Sequence, residues 1–406
     1  MVCVEDEDPL LTSGELRLGP NPKIRNMSRA YREAVGDLIW IVDCNVWVSP
    51  GTCGRMVDKL NGYTHAAASK RPYKLVHHLP LAVDVHESLS PKIQRRVSVS
   101  HDSKPTDLSA PKASSRDAFG GRLEELFLSS SHAKMYVAIN TVAIAPCIVG
   151  KSTMFHKSQL DALTGPNSRH NGTLDMRGID FFSHNICEDH LFGDLLWKSK
   201  VPSTPDGRKY KNHGLVMGDL AIQPVAGMSI ANYIARRVRW LRVRKYTVPA
   251  ATLVEPGTES MLCSAMGAWG ATTSEPTSAY FGGSWTAMLT WFLLSIILWA
   301  AVDRTVYLLL HSGSTIEATK QTPAFAKPLQ NKLEGRRSAC TWFRAWLGRE
   351  VLALPIWLWA IWGGATVTWR EKKFWVGMDM KVHEIRNSKT SRPREQVEMN
   401  GHAKHD

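Results

Sequence analysis

The residues best suited to chemistry are acids placed at the ends of apolar runs. Glu5, Asp6 and Asp8 follow the short run 2–4, Asp43 closes the run 38–42, and Glu188 with Asp189 stands just ahead of the apolar segment 191–197. Taken singly, such a carboxylate is most simply a solvated group or a helix cap. Their joint occurrence with a downstream basic element, Arg236-x-x-Arg239-Trp240, points to the handling of an anionic ligand. On a helix, positions i and i+3 share a face, so both guanidinium forks can grip diphosphate oxygens while the indole stacks on a ring. The same basic helix could instead rest on anionic lipid headgroups.

These groups need elements to hold them. Ile24, Met27, Tyr31 and Ala34 recur at helical spacing within residues 23–35, and the following run ends on Asp43, so helix then buried strand is expected there. An acid just past the carboxyl end of a strand is where a parallel α/β sheet puts its ligands. Residues 75–83 read as another strand, 122–136 as helix, 137–149 as core strands ending at Gly150, 155–163 as a short helix, and 191–197 as an apolar helix behind the acid pair. Residues 86–120, rich in Ser, Lys, Pro and Asp without apolar periodicity, read as a disordered surface insertion.

The last third changes character. Residues 286–302 hold only apolar and small polar side chains, close to the lower limit for a bilayer-crossing helix, and 306–310 would extend them past Asp303 and Arg304. A second candidate span covers 351–367, with Trp357, Trp359 and Trp362 and a charged stop at Arg370-Glu371-Lys372-Lys373. Residues 261–271 are shorter and read as an interfacial or re-entrant helix, 312–337 as a polar linker, and 377–406 as a disordered charged tail.

The chain has 406 residues, a formal net charge of +13 and fifteen tryptophans, many beside the C-terminal apolar runs, as interfacial rings would be. Clustered positive charge suits nucleic acid, an anionic membrane or a small anionic substrate. No zinc-finger spacing, RNA-binding aromatic signature or basic zipper accompanies it, so nucleic acid is set aside as a partner. Seven cysteines without a CxxC pair make neither a disulfide framework nor a metal-ligand rhythm, and reduced thiols on the cytosolic side are expected. The sequons at Asn26 and Asn171 would then be unused.

The segments Val4-Glu5-Asp6-Glu7-Asp8-Pro9, Asn21-Pro22-Lys23-Ile24, residues 37–43, His78-Leu79-Pro80, Ser131-His132, Glu188-Asp189 and Arg236-Arg237-Val238-Arg239-Trp240 occur in the order found in ceramide glucosyltransferases, which the chain resembles from Asn21 to about residue 376. The resemblance implies a GT-A-type α/β nucleotide-sugar-binding domain over 1–256, interrupted by the insertion, then a membrane-embedded region over 257–376 with C-terminal transmembrane helices. It implies UDP-glucose as donor, ceramide as acceptor, inversion at the anomeric carbon, a divalent cation (Mg²⁺ or Mn²⁺), and a multi-pass protein of the Golgi or endoplasmic reticulum bilayer with its catalytic domain facing the cytosol.

The family's three-aspartate and (Q/R)xxRW signature carries over to Asp8, Asp43, Asp189, Arg236, Arg239 and Trp240. On that footing Asp8 holds the uridine or ribose side, Asp43 brings the metal to the diphosphate with Asn45 in the last place of a D-x-D-like turn, and Asp189 is the general base for ceramide's primary hydroxyl. Arg236 and Arg239 meet diphosphate charge, Trp240 lines the acceptor site, and His132 either contacts the nucleotide sugar or is a core histidine. Family members carry a membrane anchor and a first strand ahead of the acid-rich stretch, and a helix and strand between it and Asn21; here the stretch opens at residue 1 and Asn21 follows closely, so an incomplete N-terminus is expected. Two alternatives accompany this reading: an inactive protein of the same fold, and a processive polysaccharide synthase, against which Arg236 in place of Gln and the small number of candidate spans both argue.

Overall fold

A computed structural model describes residues 8–14, 18–63, 71–86, 118–166, 176–331, 335–369 and 372–385. Glu5, Asp6, most of the insertion 86–120, Asn171, the stop residues Arg370 and Glu371, and the tail beyond 385 lie outside the described residues. In chain order the helices are α1 (Pro9–Thr12), α2 (Pro22–Glu33), α3 (Thr52–Asn61), α4 (Phe119–Ser129), α5 (Ser131–Val142), α6 (Lys157–Thr164) and α7 (Glu188–Lys198). They continue as α8 (Ile230–Thr247), α9 (Pro249–Val254), α10 (Ser260–Thr273), α11 (Glu275–Phe281), α12 (Trp285–His311) and α13 (Ala339–Trp362).

Strands β1 (Leu38–Val42), β2 (Leu75–Asp84), β3 (Ser152–His156) and β4 (Gly214–Val225) form a sheet in the order β1-β3-β2-β4. β3 runs antiparallel to both neighbours while β2 and β4 are parallel, so three strands share one direction and a single strand opposes them. The sheet is therefore mixed, with one reversed strand among the parallel ones. Asp43 nevertheless sits just past the carboxyl end of β1, where Val42 pairs with Ser152. Every residue of β2 is buried, as a near-continuous apolar run must be when both faces are covered. Its two histidines find partners: His77 Nδ1 lies 2.5 Å from the Tyr136 hydroxyl and His78 Nδ1 lies 2.8 Å from Ser152 Oγ.

Two cores flank the sheet. Ile24 of α2, Ile41, Phe155, Leu160, Phe192 and Leu196 pack α2, α6 and α7 on the β1 and β3 side. Leu123, Phe127, Tyr233, Val238, Leu241 and Ile356 join α4, α8 and α13. A small second sheet, β5 (Thr366–Trp369), β6 (Lys372–Val376) and β7 (Val382–Glu384), follows α13.

Three expectations change. Residues 137–149 are not core strands: α5 runs to Val142, Ala143 ends it in the left-handed region, and Asn140 ties the turn by donating to the Tyr136 and Cys147 carbonyls. Val142 and Ile144 point outward, so the apolar run that suggested a buried strand partly marks an exposed face. The expected helix 155–163 begins at Lys157 because Phe155 and His156 still belong to β3. The second candidate span is displaced: α13 starts at Ala339 and Val367 belongs to β5, since the domain-facing side of α13 includes Trp342, Trp346, Arg349 and Glu350 and dilutes its hydropathy. Among the described residues, one helix, α12, is long and apolar enough to cross a membrane, and it passes through Asp303 and Arg304 without a break.

Candidate active site

The site is built on the start of α2. Asn21 caps that helix, its side-chain oxygen accepting from the amides of Lys23 (2.8 Å) and Ile24 (3.2 Å), and Pro22 occupies the first turn, where no amide is needed. The Asn21 amide group donates to Glu188 Oε2 at 3.0 Å, locking the start of α2 to the start of α7. Lys23 is thereby aimed between the two helix starts and the end of β1. Its ammonium lies 3.1 Å from Asp43 Oδ1, 3.2 Å from Glu188 Oε1 and 3.1 Å from the Gly150 carbonyl oxygen. Lys151 approaches the other oxygen of Asp43 at 2.7 Å.

Asp189 completes the cluster by accepting a hydrogen bond from the Gly150 amide. Gly150 is required there: a Cβ would fall 2.7 Å from the Lys23 ammonium and 2.9 Å from Asp189. Asp43 and Asp189, the proposed metal and base residues, therefore meet across Lys23 and Gly150.

The charges set one another. Burial opposes the ammonium of Lys23, but Glu188, Asp43 and Asp189 outweigh it and hold the lysine above its ordinary range. Lys151 faces one carboxylate while Arg236 and Lys23 repel it, so burial wins and its proton is held less tightly than usual. Burial would raise Asp43, yet Lys151 and Lys23 keep its carboxyl below the usual value. Glu188 goes the other way. Burial, reinforced by Asp189 and only partly offset by Lys23, pushes it up to about 7.

A second group lies on α8 and α5. Arg236 pairs with Glu124 at 2.8 Å and its guanidinium covers the Trp240 ring at 4.8 Å. Trp240 in turn meets Phe127 and His132, with ring centroids 6.3 and 6.4 Å away. His132 stacks on Tyr136 with its Nδ1 unpartnered, and burial, aided by Arg237 and Arg244, pulls it down to about 3, so it is neutral at physiological pH. Tyr136 packs in one cluster with Cys147 and Val149, the residue before Gly150, which sets this aromatic group beside the acid cluster.

Two expected residues stand apart. Asp8 caps α1 and accepts two bonds from Arg32 Nη2, at 3.0 and 2.7 Å, near the far end of α2 from Lys23. Arg239 turns to the Thr368 carbonyl of β5 at 3.4 Å. Next to it, Arg242 donates to the carbonyls of Thr366 and Gly363, both at 2.6 Å, and Lys245 to that of Gly364 at 2.9 Å, so one face of α8 caps the end of α13. The reading of the motif as two arginines converging on one ligand thus meets a structure in which Arg236 and Arg239 engage different neighbours.

Lys23 and Lys151 were not singled out as site residues, and Glu188 was named only as the companion of Asp189. The signal for Lys23 was present: a cation in the first turn of a helix opposes its dipole, a local rule broken only where something else compensates. Among the described residues no group of three or more His, Cys, Asp or Glu side chains gathers as a metal site, and both Asp43 oxygens face lysines, so a cation here would rest on few protein oxygens. Asp43 is joined two residues on by Asn45, whose side-chain oxygen is buried without a partner, and hard cations take such oxygens with one or two carboxylates plus phosphate.

Residues 8–89 and 108–382 match the sequence profile described as glycosyl transferase family 21. The chain is 51% identical over 398 residues to a ceramide glucosyltransferase of Pyricularia oryzae, covering 95% of this chain and 73% of that protein. It is 47% identical over 400 residues to one of Gibberella zeae, covering 95% and 74%, and 32% identical over 405 residues to one of Komagataella phaffii, covering 90% and 70%. No solved structure matches.

Proposed function

This chain belongs to glycosyl transferase family 21, with the fungal ceramide glucosyltransferases, and from that premise we propose that it transfers glucose from UDP-glucose to the primary hydroxyl of ceramide with inversion. The observation that carries the reading is the meeting of Asp43, Asp189 and two lysines at the ends of β1, α2 and α7.

Inversion by one displacement needs a base on the face of the sugar opposite the departing UDP, and one carboxylate is enough. Asp189 takes that part, accepting the hydroxyl proton as oxygen attacks C1. The Gly150 amide holds Asp189 in place meanwhile. Lys23 and Lys151, which neutralise Asp43, offer fixed positive charge to the diphosphate once it enters. Asp43 and Asn45 would hold the divalent cation, which supplies neutralisation of charge on the leaving UDP. Arg236, clamped by Glu124 over Trp240, orders the wall on the acceptor side, and His132 lends it a neutral stacking face. The setting proposed is a Golgi or endoplasmic reticulum membrane with the sheet domain in the cytosol, consistent with reduced cysteines: the six described are all free.

The test is formation of glucosylceramide from UDP-glucose and a short-chain ceramide, using membranes of cells that lack the activity and express this chain. Product is expected, and Asp189→Asn is expected to abolish it while leaving UDP-dependent thermal stabilisation intact. An Asp189→Asn protein with unchanged turnover would sink the assignment of the base.

A further inference from the structure

Helices α10, α11 and α12 form one structural unit whose two ends are fixed to the same domain. At its entry, the Ser260 amide donates to Glu350 Oε2 at 3.1 Å and Ser131 donates to the Glu259 carboxylate at 3.2 Å. At its exit, Asp303 of α12 is fully buried, paired with Lys134 and with Arg349 at 3.0 Å, and it accepts from the Trp346 indole at 2.8 Å. Lys134 also lies 4.3 Å over the Trp299 ring. From Asp303 onward, the buried side of α12 is Asp303, Tyr307 and His311, one residue per turn facing the domain.

Before Asp303 the helix is different. Residues 285–302 carry no charge, and their large side chains stand outward: Leu294 is 63% exposed, Ile297 63% and Leu298 66%. Along most of this stretch the helix laid against it is α10, whose buried side is a small-residue stripe, Ser260, Ser264, Ala268 and Thr272, while Ile296 and Ala300 near its inner end pack against the Leu126, Trp342 and Trp346 cluster of α4 and α13. Ser264 and Ser295 share a hydrogen bond at 2.8 Å, and Gly267 admits the Trp291 ring so closely that a Cβ would lie 2.5 Å from it. Small faces and interhelical hydroxyl bonds are how helices associate where the surroundings are as apolar as the side chains themselves. The other faces of α10 expose Met266 and Trp269. The tip, residues 273–284, is rich in Ser and Thr, contains Glu275, and displays Tyr280, Phe281 and, just beyond it, Trp285, a composition suited to a headgroup interface.

We propose that α10–α11–α12 is a hairpin that enters the bilayer from the side of the sheet domain, brings its tip to the opposite interface and returns to the same side, with the Asp303 ion cluster marking the depth at which lipid ends. The returning arm agrees in length, 18 residues from 285 to 302 rising about 27 Å against a hydrocarbon core of roughly 30 Å, while the 14 residues of α10 rise about 21 Å and reach the far interface only together with the tip that holds α11. Asp303 cannot enter lipid without leaving both its cations, a penalty that fixes the insertion depth. The hairpin rests on the proposed membrane setting but not on the transferase reaction.

The experiment uses sealed vesicles with the sheet domain outside, treated with a membrane-impermeant maleimide and read peptide by peptide by mass spectrometry. Thr315→Cys, just past α12, and native Cys340, exposed in the first turn of α13, should both label in intact vesicles. Ser278→Cys, at the tip, should label only after permeabilisation. Labelling of Ser278→Cys in intact vesicles at the rate of Cys340 would overturn the proposal and mean that another protein covers the apolar face. Protection of Thr315→Cys while Cys340 reacts would overturn it by putting the ends of the unit on opposite sides. Labelling of Ser278→Cys in detergent but not in permeabilised vesicles would overturn it by leaving the tip inside the core. Retention of the chain in the pellet after an alkaline wash is read separately, so loss of the membrane setting is distinguished from a wrong topology.

Discussion

Lys23→Met removes the ammonium at the centre of the acid cluster while keeping the length of the side chain. In the resting protein the change leaves Glu188, 3% exposed, without its cation. Breaking one partner out of a buried pair costs about 3–5 kcal/mol, and the lower end applies because a fifth of the Lys23 side chain meets solvent. A protein of ordinary stability survives that loss. The effect on catalysis is a distinct quantity. If Lys23 turns to the diphosphate when UDP-glucose binds, the variant loses a charge-assisted hydrogen bond worth about 1.5–3 kcal/mol, or roughly 10- to 150-fold in kcat/KM for UDP-glucose. The acceptor KM should stay where it was. Initial rates at varied UDP-glucose and fixed short-chain ceramide measure the first quantity, and varied ceramide the second. A Lys23→Met enzyme that remains folded and keeps kcat/KM for UDP-glucose within about twofold of the parent would refute the idea that this cluster meets the donor's charge.

The raised carboxyl of Glu188 makes a pH prediction. Its folded form binds a proton up to about pH 7 whereas the unfolded form releases it near 4.5, so its stabilising contribution is lost as pH rises through that window, and Glu188→Gln should remove about 3 kcal/mol of pH dependence there in denaturant titrations. His132 has the opposite sign: its proton affinity is depressed to about 3, so stability falls as pH drops from 6.5 toward 3, and His132→Phe, which keeps the stack on Tyr136, should flatten that acid limb. Gly150→Ala forces a methyl between Lys23 and Asp189 and should cost about 1–3 kcal/mol of stability, with a larger proportional loss of turnover than of UDP affinity, measured by rate and by thermal shift with UDP.

Where local pattern and tertiary demand agreed, the sequence was readable. The cap Asn21, the proline behind it and the spacing of Ile24 and Tyr31 declare α2, and the run ending at Asp43 declares β1 and its ligand end. The antiparallel course of β3 was not legible, because direction depends on how far the intervening helices carry the chain rather than on any residue in the strand. Residues 137–149 misled for a related reason: an apolar run shorter than a helix's period analysis needs fits a strand and a helix alike, and here the run is the end of α5 and a turn with Val142 and Ile144 exposed. The acid pair was seen, but its division of labour was not, since Glu188 and Asp189 differ only in which side of the start of α7 they face. The position of Arg239 beside β5 depends on contacts more than a hundred residues away in sequence, which no window around the motif contains.

The caps that Arg242 and Lys245 place on the end of α13 make those two helices a single lever. α13 cannot slide along its axis without pulling the carbonyls of Gly363, Gly364 and Thr366 away from Arg242 and Lys245, so a push on it is delivered to α8 rather than absorbed at the joint. Arg236 and Trp240 ride on the same α8, within two turns of those caps. Any displacement of α13 would therefore be carried along α8 to Arg236 and Trp240, so that the aromatic wall and the far end of α13 move as one body.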